Sequence, residues 1–255
     1  MTIKLVASDI DGTLLAPGQT ELSPCLFSHI EALHARGIRF CAASGRQYES
    51  LRKLFAPVAN QILFLCENGA IVYAEDKVLA KTPLSHADCE QLCAQILAQP
   101  GCEVLLSAAN TSYLIPRSEA YVRHVRDELG NNTVCVSRLE DVKEDILKVS
   151  IFTDAPAEQY APKFLPIWEG RLSAAVAGMH WMDFTLDNKV TGLAQVSEAL
   201  NIAPRDMLVF GDNFNDIPMF RFAGRSYAME SAAAQVRAAA HHTCTSVEAV
   251  LETLV

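Results

Sequence analysis

Ile3-Lys4-Leu5-Val6-Ala7-Ser8-Asp9-Ile10-Asp11-Gly12-Thr13-Leu14 decides how the chain is read. Its first half is a short, nearly unbroken apolar run, the pattern of a strand buried on both faces of a parallel sheet. Two carboxylates two positions apart follow at once, then a glycine that lets the backbone turn away sharply. Ligands of open α/β sheets bind beyond the carboxyl ends of the strands, so Asp9 and Asp11 stand where a site belongs. Residues two apart in an extended backbone face the same side. Taken alone, Asp, Gly and Thr are also ordinary turn and cap residues, and both readings stay open at this point. An EF-hand calcium loop is excluded: counted from Asp9, the positions that need Gly and Glu hold Leu14 and Thr20.

Working outward, apolar runs alternate with amphipathic segments, as in repeated βα units. Ser23-Pro24 predicts a capped helix that ends before Gly37. Strands are expected over 38–43, 62–66 and 207–210, and helices over 191–200 and 247–254. The expected fold is α/β, with a Rossmann-like, mostly parallel sheet core made of 1–83 and 187–255. Residues 84–186 break the alternation. Strand pairs at 103–106 with 112–115, and at 172–176 with 181–186, flank helical stretches at 87–97, 119–129 and 157–168. They are expected to form an inserted α+β domain.

Composition narrows the function. Of 255 residues, 50% are hydrophobic and 20% charged, so a large core is possible. Twenty-one basic against 30 acidic residues give a net charge of −9, which argues against nucleic-acid or anionic-membrane partners and favours a small molecule. No stretch approaches the ~20 apolar residues of a membrane span. The eight cysteines include no CxxC pair, and several lie in apolar runs; buried thiols in a reducing cytoplasm are the expectation. The pair His241-His242 reads as a strand edge, Trp168 and Trp181 as packing, and the acidic run 140–145 as a solvated face. Oligomeric state is not legible.

Three further constellations occupy predicted βα junctions. Gly211-Asp212-Asn213-Phe214-Asn215-Asp216 follows the strand at 207–210 and carries the oxygen donors a hard cation such as Mg²⁺ prefers. Ser44-Gly45-Arg46 follows the second strand, where a hydroxyl, free amides and a guanidinium suit an anion. Lys189, the only lysine beyond Lys163, precedes a helix. Each alone has a structural reading: an Asx-rich cap, a Ser cap, a surface lysine. Together they carry more. Two unit charges ~4 Å apart interact by about 4 kcal/mol at an effective dielectric near 20, so clustering Asp9, Asp11 and Asp212 calls for a cation. A carboxylate nucleophile, a divalent ion and fixed positive charge are the equipment of phosphoryl transfer.

At this point the sequence resembles the haloacid dehalogenase (HAD) superfamily, specifically its Cof-type phosphatases of subclass IIB with a C2B cap. The motifs Asp9-Ile10-Asp11-Gly12-Thr13, Ser44-Gly45-Arg46, Lys189 and Gly211–Asp216 match the family's four in order, and Glu67-Asn68-Gly69-Ala70 adds a Cof-like feature. The resemblance implies a hydrolase acting on a small phosphate monoester, a sugar phosphate or phosphorylated cofactor, with a cap over the substrate. It implies that Asp9 attacks phosphorus to form an aspartyl-phosphate and that Asp11 acts as acid and then base, its proton held by the nearby charge of Asp9. Mg²⁺ would be held by the carboxylates of Asp9 and Asp212 and the main-chain carbonyl of Asp11, with Asp216 supporting that shell. Ser44, Gly45, Lys189 and Asn215 would hold the phosphate, Gly12 and Thr13 would shape the turn beside it, and Arg46 and Asn68 would lie on the substrate side. The chain departs from the family in having Val190 after Lys189, where Gly is usual, and Ser231 where Asn is usual. Two alternatives remain: a sugar phosphomutase using the same intermediate, and a receiver-like binding module controlled by phosphorylation.

Overall fold

The computed structural model describes residues 2–186 and 188–255. Its strands are β1 (Leu5–Ser8), β2 (Arg39–Ala43), β3 (Leu63–Cys66), β4 (Ile71–Ala74), β5 (Lys77–Lys81), β6 (Cys102–Ser107), β7 (Ser112–Ile115), β8 (Thr133–Cys135), β9 (Lys148–Thr153), β10 (Ser173–Gly178), β11 (Trp181–Thr185), β12 (Met207–Gly211), β13 (Arg225–Met229) and β14 (His242–Cys244). The chain divides into two compact units, Met1–Lys81 with Asn188–Val255, and Thr82–Asp187. Met1 and Asp187, at which two of the expected domain boundaries fall, lie outside the described residues.

The first unit is built on an eight-stranded sheet in the order β14-β13-β12-β1-β2-β3-β4-β5. From β14 to β3 every neighbouring pair is parallel, and the β3-β4 and β4-β5 pairs are antiparallel. Strand order runs outward from β1 in both directions, which makes the carboxyl end of β1 the switch point where such sheets bind ligands. All four residues of β1 are buried, as are all of β3 and β12. Leu5, Ala7, Cys41, Leu65 and Val209 share one core cluster with Leu193 of the helix Lys189–Leu200. The first helix, Pro24–Ala35, begins as expected: Ser23 accepts from Cys25 N at 3.1 Å, and Pro24 occupies the first turn.

The hairpin β4-β5 was not anticipated. Its turn places Glu75 and Asp76 at φ 51° and 60°, a left-handed pair that usually calls for Asn-Gly. A clamp takes the place of glycine. Arg52 grips Asp76 through two hydrogen bonds (2.7 and 3.0 Å), and the Tyr48 hydroxyl donates to the same carboxylate. These bonds, Arg52 first, pull the Asp76 carboxyl down to about 2.

The second unit carries a six-stranded sheet, β10-β11-β9-β6-β7-β8. Both expected hairpins form, with Leu105 opposite Leu114 and Ala174 opposite Phe184. The unexpected element is β9, which pairs with β6 on one side and β11 on the other and joins the two hairpins into one sheet. Two segments expected as continuous helices are broken. Glu119–Arg123 passes into a π-helical stretch at His124–Glu128, and a 3₁₀ turn at Ala157–Gln159 precedes the helix Ala161–Trp168. Trp168 is fully buried and donates to Gln95 (2.9 Å), while the charged residues of the 140–145 run are exposed. Cys25 and Cys135 are exposed and the other six thiols buried, all of them free. Among the described residues no helix is long and apolar enough to cross a membrane.

Candidate active site

The backbone of Asp9 leaves β1 still hydrogen-bonded to the neighbouring strand, Asp9 N donating to Phe210 O at 3.0 Å. The carboxylate thereby faces the loop that follows β12. One carboxylate oxygen each from Asp9, Asp212 and Asp216 lie within 4.8 Å of one another. Thr13 Oγ1 lies between two of them, 3.4 Å from Asp9 Oδ2 and 3.0 Å from Asp212 Oδ1. Lys189 brings the cation. Its ammonium contacts Asp9 Oδ1 and, at 2.7 Å, Asp216 Oδ1, with the side chain only 1% exposed.

Local sequence explains this convergence. Gly12 has φ +92°, and a Cβ there would lie 2.2 Å from Asp212 Oδ2, so both backbone shape and available space demand glycine. Gly12→Ala is expected to cost about 1–2 kcal/mol in backbone strain alone. It should also lower kcat/KM by on the order of 10²-fold, because Asp212 must move aside. Wild-type turnover by the variant would contradict that packing. The helix carrying Lys189 starts two residues earlier than expected: Asn188 is its N-cap, Oδ1 accepting from Val190 N at 3.0 Å. Val190 in place of the usual glycine therefore leaves the helix entrance capped. Gly69 and Gly192 allow the helix to sit close, since a Cβ on Gly69 would meet Asn188 O at 2.3 Å and one on Gly192 would meet Gly69 Cα at 2.9 Å. Asn188 and Gly192 were absent from the sequence reading, and Gly69 entered it only within Glu67–Ala70, although an Asn directly before a helical lysine is an N-cap signal.

Asp216 is fully buried and spends both oxygens. Oδ2 accepts from Asp212 N and Asn213 N, each at 3.0 Å, and Oδ1 meets Lys189. It fixes the loop that presents Asp212 and the ammonium that faces Asp9.

The electrostatics are lopsided. Three carboxylates share one ammonium, an excess of two negative charges if all ionise. Burial, with the charges of Asp216 and Asp212, outweighs the attraction of Lys189 and raises the Asp9 carboxyl to about 7. Burial likewise raises Asp212. For Lys189 burial works against the charge, yet Asp9 and Asp216 hold it protonated and raise its pKa. A divalent cation would restore the balance, and the donor set, all carboxylate and hydroxyl oxygen, suits a hard ion such as Mg²⁺.

The other expected residues form a second group. Ser44 is buried at the end of β2, its Oγ accepting from Arg46 N at 3.2 Å. Asn68, in left-handed conformation (φ 57°), donates N–H to Ser44 O at 3.0 Å. The Asn68 amide fills the space that Gly45 leaves, 3.1 Å from where a Cβ would be. Asn215 is exposed on its loop.

Asp11 departs from expectation. Its carboxylate does not join the Asp9 cluster; Arg46 grips it through Nε to Oδ2 at 2.9 Å and Nη2 to Oδ1 at 2.5 Å. The neighbouring charge expected to hold its proton was that of Asp9, whereas its partner is a guanidinium. The electrostatic reason is plain: exposed Asp11 lies outside the three-carboxylate cluster and pairs with a guanidinium.

Comparison with known proteins gives this arrangement its family. A sequence model of the haloacid dehalogenase-like hydrolases matches residues 6–252, nearly the whole chain. The chain belongs to that family. Its enzyme class is that of the HAD-type phosphatases. The 5-amino-6-(5-phospho-D-ribitylamino)uracil phosphatase YbjI of Escherichia coli (strain K12) is 29% identical over 252 residues, covering 96% of this chain and 92% of its own length. A crystal structure from Eubacterium rectale superposes with a TM-score of 0.91 at 31% identity, covering 99% of each chain. The HAD subclass IIB sugar phosphatase BT4131 shares the fold of this HAD protein, with a TM-score of 0.81 over 98% of each chain and 22% identity.

Proposed function

We propose that this HAD-family phosphatase hydrolyses a small phosphate monoester, of the sugar phosphate or phosphorylated cofactor class, through an aspartyl-phosphate on Asp9 and with Mg²⁺. The observation that carries the reading is the group of Asp9, Thr13, Asp216 and Lys189, all buried, with half-buried Asp212 at the switch point of the sheet, two negative charges in excess when all three carboxylates ionise. A nucleophilic carboxylate beside a fixed ammonium matches what phosphoryl transfer asks of a protein.

Asp9 and Asp212, with the main-chain carbonyl of Asp11, would hold the ion, which when bound offsets the charge of the transferring phosphate. Asp216, its oxygens engaged elsewhere, stands behind that shell. Asp9 attacks phosphorus, and Lys189 keeps its carboxylate aimed and stabilises the equatorial oxygens. Ser44 and Asn215, with the amides around Gly45 and the turn at Gly12 and Thr13, complete the phosphate cradle. Asp11 delivers a proton to the leaving oxygen and then takes one from the water that cleaves the acyl-phosphate. The Thr82–Asp187 unit takes the place of the family's cap and is the natural source of selectivity among substrates.

Release of inorganic phosphate from sugar phosphates, a phosphoribityl-aminouracil, pyridoxal phosphate and nucleotides, with and without Mg²⁺, tests the reading. Mg²⁺-dependent release from at least one of the first three is the expected result. Isomerised product without phosphate release would assign a phosphomutase. The match to phosphatases along the whole chain favours turnover over a phosphorylation-controlled binding module.

The charge imbalance gives a second expectation. Protonated Asp9 is favoured by folding, so its contribution to stability is full below pH ~4 and is lost as pH rises through about 7. Tm measured in EDTA should therefore fall between pH 5 and 8. Mg²⁺ at 100 times its Kd should add about 2.7 kcal/mol at the upper end and much less at pH 5. A Mg²⁺ effect independent of pH would contradict the assigned ligands.

A further inference from the structure

We infer that Arg46 is a positioning residue for Asp11 rather than a phosphate ligand. This inference rests on the acid–base role proposed for Asp11. The two residues lie at the ends of adjacent parallel strands, Asp11 beyond β1 and Arg46 beyond β2. Their contact is a two-point fork to the ionised carboxylate, Nε to Oδ2 and Nη2 to Oδ1, which fixes its plane as well as its position; in the acid step the oxygen that carries the proton leaves the fork and the other still accepts from Arg46.

Stability does not account for the pair. The side chains are 55% (Asp11) and 35% (Arg46) exposed, and ion pairs so open to water contribute little to folding. Orientation is what such a fork supplies. The Arg46 backbone is itself held from both sides, its N–H on Ser44 Oγ at 3.2 Å and its carbonyl accepting from Glu67 N at 3.2 Å. The guanidinium therefore projects from a fixed base. Asp11, by contrast, is followed by Gly12 and receives no other side-chain hydrogen bond among the described contacts. Without Arg46 its carboxylate has nothing to hold it against the excess charge of the Asp9 cluster. A cation is already present for the phosphate, since Lys189 contacts Asp9 directly.

A positioning role and a phosphate-binding role differ in how they depend on the leaving group. An alkoxide needs a proton as the P–O bond breaks, whereas p-nitrophenolate leaves without one. kcat/KM reports the steps up to the first irreversible one, here transfer of phosphorus to Asp9. Arg46→Ala should thus lower kcat/KM for an alkyl monoester such as glycerol phosphate by on the order of 10²-fold. The loss on p-nitrophenyl phosphate should be several-fold at most. Asp11→Asn should show the same selectivity, and the double variant should lose no more than Asp11→Asn alone. Arg46→Lys, which keeps charge but not the fork, should not rescue. Inhibition by inorganic phosphate should hold its Ki in Arg46→Ala.

Equal losses on both substrates, a weakened phosphate Ki and additive losses in the double variant would make Arg46 a phosphate ligand and overturn the inference. A drop in Tm of Arg46→Ala that accounts for the lost activity would overturn it in favour of a structural role. Failure of the underlying reading looks different: Asp11→Asn itself would then show no leaving-group selectivity.

Discussion

Asp9→Asn should abolish turnover, with kcat lowered by at least about 10⁴-fold, because the amide cannot attack phosphorus and no other group replaces the nucleophile. The fold should survive. Asn preserves the shape of the side chain and removes one of three crowded carboxylates, so Tm in EDTA above pH 7 should equal or exceed that of the wild type. Lys189 keeps its 2.7 Å contact to Asp216 as a partner. An inactive variant with a lowered Tm would point to a structural role for Asp9. An active one would remove the nucleophile from this account.

Lys189→Met should cost both stability and activity. The ammonium is buried between Asp9 and Asp216, and its loss strands two buried carboxylates. Breaking such a group typically costs about 3–5 kcal/mol, a fall in Tm of roughly 10 °C for a chain of this size. Lys189→Met/Asp216→Asn should recover much of that loss, since Asn retains one acceptor oxygen for the amides of Asp212 and Asn213. Turnover should not return with it, because the cation facing Asp9 is still missing. A single variant as stable as the wild type would contradict the buried pair.

The split between what the sequence disclosed and what it concealed follows from how each feature is held. Lys189, before an amphipathic helix, was legible only in company with Asp9 and Asp212, which were legible because each follows a strongly apolar segment that reads as a buried strand. The same holds for β1 and β3, whose unbroken runs are fully buried. In the second unit, β9 was hidden by its own composition. Lys148 and Ser150 interrupt the apolar run, and Asp183 of β11, at 3.3 Å from Lys148 and 2.6 Å from Ser150, helps make their burial tolerable. The β4-β5 turn was concealed for a similar reason, its left-handed residues secured by Arg52 and Tyr48 from elsewhere in the chain. The orientation of Asp11 belongs to the same class. Spacing placed its backbone correctly but could not choose between Asp9 and Arg46 as its partner.

Reductive trapping during turnover tests the central claim most directly. Borohydride converts an acyl-phosphate to the alcohol, so the enzyme quenched with borohydride in the presence of substrate and Mg²⁺ should yield, by peptide mass spectrometry, homoserine at position 9 and unmodified aspartate at positions 11, 212 and 216. Substrate turning over while position 9 remains unmodified, or homoserine appearing at another of these positions, would contradict the account.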